Sequence, residues 1–155
     1  MSPARGHANQ KLYHAAILQR LLALELQRQD IPQKALLAAV GESVLQQLLA
    51  AYGWFLLEVS RAESLPGSPP RCCAELPAQP EGTVFPAEIR EFQQLEDKGW
   101  LSELLLERDP IPIPVHNPNN LATAAADQAG PDQVERWLEQ LAAAFDRMSA
   151  SLDEY

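Results

Sequence analysis

The sequence predicts an all-α fold: one four-helix, bundle-like domain over residues 1–155, built on a long N-terminal helical hairpin and interrupted by two Pro-rich linkers. Three observations carry this. Leu and Ala, 24 and 23 residues, supply nearly a third of the chain, while only ten residues are aromatic, a composition that favours helices over strands. Apolar residues recur three and four apart through most of the chain. Ten of the 13 prolines fall in two stretches, Pro66–Pro86 and Pro110–Pro118, where missing N–H groups and restricted preceding residues oppose helix.

The first helix is expected over 9–29, with Asn9 as its N-cap. It carries two apolar stripes, Leu12, Ala15, Leu18, Leu22 and Leu26 on one and Tyr13, Ile17, Leu21 and Leu24 on the other. A helix apolar on most of its circumference is covered on more than one side. One partner helix covers one stripe, so the second awaits either the C-terminal helix or another copy of the chain. The intramolecular answer is the favoured expectation.

Asp30-Ile31-Pro32 makes a corner in which Asp30 caps the second helix and Pro32 sits in its first turn. That helix is expected over 31–62, with Leu37, Val40, Val44, Leu48, Ala51, Phe55 and Val59 on one face. Gly41 and Gly53 interrupt it and allow close approach by a neighbour. A linker over 63–85 follows. In 86–108 the apolar phase changes between Ile89-Phe92-Leu95 and Trp100-Leu101-Leu104-Leu105, which predicts helices at 86–98 and 100–108 broken by a left-handed Gly99. A second linker covers 109–119, a short helix 120–128, and a last helix 131–152. In the last, Val134, Leu138, Leu141, Phe145, Met148 and Leu152 form the cleanest amphipathic pattern in the chain.

Composition also bounds function. The net charge of −9 argues against nucleic acid, whose phosphates need a basic surface. It is uneven, +2 over residues 1–62 and −11 over 63–155, an asymmetry that keeps a Leu-rich chain soluble and is able to steer a basic partner. No uncharged apolar run approaches a membrane span, and Met1-Ser2-Pro3-Ala4-Arg5-Gly6 carries no signal-peptide core, so no membrane and a cytoplasmic location are expected. Cys72 and Cys73 are adjacent, which suits neither a disulfide framework nor a zinc site; they read as ordinary linker thiols.

Motifs for chemistry are missing. His7, His14 and His116 have no ligating residue at helical spacing, so no metal and no cofactor are expected. The sequence holds neither a Gly-x-Ser-x-Gly elbow nor a Gly-rich phosphate loop, and no catalytic residue is assigned. What remains is a set of large side chains off the main stripes: Tyr13 and Ile17 on the first helix, Trp54 and Leu57 on the second, Trp137 on the last. These either dock the Pro-rich linkers or form a partner surface.

The opening Ala8-Asn9-Gln10-Lys11-Leu12-Tyr13-His14-Ala15, leading into a Leu/Ala/Gln-rich helix, resembles a family of small uncharacterised bacterial proteins with an A-N-Q-K-L-Y opening. The resemblance implies the same plan of helical hairpin, Pro-rich middle and acidic C-terminal helix. It singles out Asn9, Gln10, Lys11 and Tyr13 and implies no activity. The resulting expectation is a non-enzymatic cytoplasmic interaction or regulatory protein, monomer or homodimer, whose partner is another protein. The rival expectation is an enzyme or small-ligand binder with a pocket joining His14 and Tyr13 to His116 in the 110–120 linker.

Overall fold

The computed structural model describes residues 2–106 and 130–154. Among these the fold is all-α, with five helices and no strand: α1 (Pro3–Arg28), α2 (Gln33–Val59), α3 (Ala87–Lys98), α4 (Trp100–Leu106) and α5 (Pro131–Asp153). The expected second linker and the 120–128 helix lie outside the described residues.

Helix α1 begins six residues earlier than its apolar pattern suggests, and Ser2, not Asn9, is the N-cap. The Ser2 hydroxyl accepts a hydrogen bond from the Arg5 N–H at 3.1 Å, and Pro3 occupies the first turn, where its missing N–H costs nothing. The added turns are pinned from outside. The Arg5 guanidinium donates to Glu58 at the end of α2 (3.0 Å) and to Asp153 at the end of α5 (2.9 Å), and the Ser2 hydroxyl donates to Glu58. Because Arg5 and Glu58 are largely buried, this network ties three helix ends together more firmly than a surface pair would.

These contacts also set the topology. Arg5 meets Glu58, so α1 and α2 are antiparallel; Gln19 Nε2 donates to the Pro131 carbonyl while Arg5 meets Asp153, so α5 runs back along α1. Arg147 pairs with Glu91 and Ser151 with Glu88, which lays α3 antiparallel to α5.

The hairpin corner differs from the expectation in two respects: Asp30 does not cap α2, and Pro32 precedes the first turn as an N-cap without a side-chain bond. Gln29 closes α1 in the left-handed region (φ 59°) with its N–H on the Glu25 carbonyl. Helix α2 carries a π-helical turn at Leu37–Gly41, and it ends at Val59 rather than Ala62. There the N–H groups of Arg61 and Ala62 bond the carbonyls of Glu58 and Leu57, with Arg61 left-handed (φ 55°), a Schellman closure that glycine usually makes. The α3/α4 break falls at Gly99 as the phase change requires, but Gly99 is extended (φ −102°, ψ −165°), not left-handed. Glycine is needed there because an added Cβ would lie 2.9 Å from Leu95 Cα, a backbone atom that cannot swing aside.

At the centre, Phe55 of α2 stacks on Phe145 of α5 (3.9 Å between centroids) and meets Phe92 of α3 edge-on at 6.2 Å; Tyr52 meets the same Phe92 ring edge-on at 5.3 Å. Seven consecutive residues, Ala51 to Leu57, are all buried, so this end of α2 is covered on every side. Gln33–Val59 is long and apolar enough to cross a membrane by length and composition alone; its C-terminal end lies in the core, while 33 % of its apolar 18-residue stretch is buried.

Candidate functional site

Helix α1 decides what the surface offers. Its inner face mixes small and larger residues: Ala4, Ala8, Ala15, Gln19 and Leu22 are buried, and Leu12 and Leu18 pack at the edge. The Ala positions allow two helices, α2 and α5, to sit side by side on this one face, because short side chains permit close backbone approach. The expectation that α5 covers the second stripe is therefore corrected. Tyr13 is 67 % exposed, Leu21 and Leu24 are each 50 % exposed and Ile17 is 41 % exposed, on the side of α1 that faces away from the bundle. Ile31, just past the corner, is exposed as well. Arg20 and Arg28 lie along the α1 row, with Arg28 bonded to Glu25 at 3.2 Å.

The other large side chains named from sequence lie elsewhere. Trp54, Leu57 and Trp137 are buried, not presented to a partner. The Trp54 ring packs on His7 at 4.7 Å, and Leu57 lines a cavity with Leu65, Pro66, Pro69 and Pro70, where the first Pro-rich segment folds back on α2. Asn9 and Gln10 are exposed and Lys11 half-buried, all well inside α1; of the four motif residues only Tyr13 belongs to the apolar stripe. His14 is exposed beside that stripe, and His116 lies outside the described residues.

Sequence reasoning missed two polar arrangements. The first is the Arg5-Glu58-Asp153 network, beside which Leu57, Arg61 and Leu152 line an open cleft of about 470 Å³. The second joins α2, the first Pro-rich segment and α3. The Tyr52 hydroxyl donates to Glu96 Oε1 at 2.5 Å and lies 3.7 Å from Cys73 Sγ, and the Cys73 N–H donates to the same Oε1 at 2.9 Å. Cys73 is thus a buried core residue, correcting its reading as an ordinary linker thiol, while Cys72 is half-exposed; both are free thiols. The partners stand 21 and 44 residues from Tyr52, so no local spacing announces them.

Electrostatics make this second cluster a structural lock. Burial, with the Glu96 carboxylate nearby, pushes the Cys73 thiol up to about 12, and burial raises the Tyr52 phenol far above its ordinary value, next to Cys73 and Glu96. A thiol held protonated is no nucleophile at neutral pH. Among the described residues no group of three or more His, Cys, Asp or Glu is placed to hold a metal ion.

A pH dependence follows from these two groups. In the unfolded chain Cys73 titrates at its ordinary value of 9.0 and Tyr52 at 10.0, whereas the native state keeps both protons. The stability these two protonated groups contribute is therefore fully present below pH 9 and is lost as pH rises, the Cys73 part ending near pH 12. Each group steepens the fall by at most about 1.4 kcal/mol per pH unit. Urea midpoints measured from pH 8 to 11 should drop along this course, and Cys73→Ala with Tyr52→Phe should flatten it; an unchanged slope in the double variant would refute the assignment.

The fold and surface together define a class: an antiparallel helical-bundle protein with a locked core and one helix, α1, whose outer apolar face has no cover among the described residues. The chain belongs to a family described as a family of unknown function (DUF6586), whose match covers residues 1–154. No curated protein and no solved structure matches it.

Proposed function

We propose that the protein is a non-enzymatic, cytoplasmic protein-interaction module that binds through the outer face of α1. The single observation carrying this is the row Tyr13, Ile17, Leu21, Leu24: four large apolar side chains at helical spacing, on the face opposite the core. Scattered exposed apolar residues are ordinary; a contiguous row on one helix is the form in which an amphipathic partner helix is received. The free thiols of Cys72 and Cys73 suit a reducing compartment.

A photo-crosslinking residue at position 17 of the chain expressed in cells should yield discrete protein adducts, and the same residue at exposed Glu139 on α5 should yield none. Absence of an adduct at position 17, or equal labelling from both positions, would overturn the reading.

A further inference from the structure

We propose that the partner seated on this face is a second copy of the chain, its α1 packed antiparallel against the first; the inference rests on the interaction reading above. The apolar row is self-complementary. Ile17 and Leu21 are centred on position 19, and Tyr13 and Leu24 half a residue away, so one two-fold axis level with Gln19 brings Ile17 of one copy to Leu21 of the other and Tyr13 to Leu24. A row whose spacing lacked this shared midpoint would match a different sequence better than itself.

The flanking charges agree with the same axis. In an antiparallel helix pair, residues on one flank meet residues on the equivalent flank of the partner. His14 and Glu25 share a flank of the row by the 3.6-residue period, and their midpoint, 19.5, falls within a residue of the apolar one. Each copy therefore presents its His14 imidazole to the Glu25 carboxylate of the other, twice per dimer. At the row's two ends Gln10 of one copy meets Arg28 of the other. On the opposite flank the two Arg20 side chains meet each other, the one like-charged contact of the arrangement.

Area supports a modest dimer. Four large side chains two-fifths to two-thirds exposed leave roughly 400 Å² of apolar surface per copy, so pairing with its flanks buries on the order of 1,000 Å² in total. That is the low end of specific interfaces, the size class of weak and transient contacts. Polar rims and a like-charged pair keep the contact reversible.

The test uses the full chain in sedimentation equilibrium across concentrations from sub-micromolar to hundreds of micromolar. Wild type should pass from monomer to dimer within that range. Leu21→Asp should raise the dissociation constant at least a hundredfold and leave the melting temperature measured at low concentration unchanged. Mixing wild type with Arg20→Glu should give mixed dimers above the statistical half, since Arg20 of one copy then faces the introduced carboxylate of the other. A wild-type chain monomeric throughout, a dimer that survives Leu21→Asp, or an Arg20→Glu mixture at the statistical half would each overturn the inference. So would a Leu21→Asp chain that unfolds, because the row would then be buried by its own chain. The crosslinking experiment separates the two levels: an adduct of twice the chain mass supports the copy, an adduct of any other mass keeps the interaction reading and rejects the copy, and no adduct rejects both.

Discussion

Gly53→Ala should destabilise the protein by about 3 kcal/mol or more, with the melting temperature falling on the order of ten degrees. A Cβ at this position would lie 2.1 Å from the Pro70 carbonyl oxygen and 2.8 Å from Pro69 Cβ. Neither obstacle is the end of a flexible side chain. The proline segment passes directly over α2, and α2 is buried all round at this level, so neither backbone has anywhere to retreat. Alanine's better helix propensity recovers only about 1 kcal/mol. The companion variant Gly41→Ala sharpens the test: its new Cβ would meet only Leu37, at 3.9 Å, an ordinary contact. Gly41→Ala should therefore be neutral or stabilising by up to about 1 kcal/mol. Thermal melts of both variants that give equal shifts would show that the Pro69–Pro70 contact does not govern the position.

Phe55→Ala should cost about 3–5 kcal/mol, because it empties the point where α2, α3 and α5 meet. The ring is fully buried, stacked on Phe145 and edge-on to Phe92, so its loss removes burial and two aromatic contacts at once. The space is walled by the Phe92 and Phe145 rings, held on two separate helices, which limits collapse into it. Phe55→Leu, which keeps much of the volume, should recover about half or more of the loss. The measurement is urea unfolding at constant m-value. A loss under about 1 kcal/mol for Phe55→Ala would mean the helices close over the gap and the centre is less tightly packed than the stacking implies.

Much of the candidate surface was legible from residue spacing. The 3.6-residue period showed that α1 carries two apolar stripes, and it singled out Tyr13 and Ile17, which lie on the exposed one. The same reasoning named Trp54, Leu57 and Trp137, which are buried. Periodicity measures the angle between side chains on one helix; it carries no information on which neighbour stands at that angle. Trp54 and Leu57 lie off the main stripe of α2, yet the Ala51–Leu57 stretch that holds them is buried throughout, with His7 of α1 on Trp54 and prolines from a segment with no periodicity to read passing over Gly53.

That the chain is helical, where its helices break and which face of α5 is apolar all follow from residue order, because propensity, proline geometry and amphipathic period are local properties. Three further features depend on residues distant in the chain and emerge only in the folded bundle. Helix α1 extends back to Pro3, since Arg5 gains Glu58 and Asp153, partners 53 and 148 residues away. Tyr52, Cys73 and Glu96 assemble from three segments. And which stripe of α1 turns inward is decided in the bundle: the Leu12-Ala15-Leu18-Leu22 side, continued by Ala4 and Ala8, faces α2 and α5, its alanines admitting both helices at once, and Tyr13, Ile17, Leu21 and Leu24 are left outside.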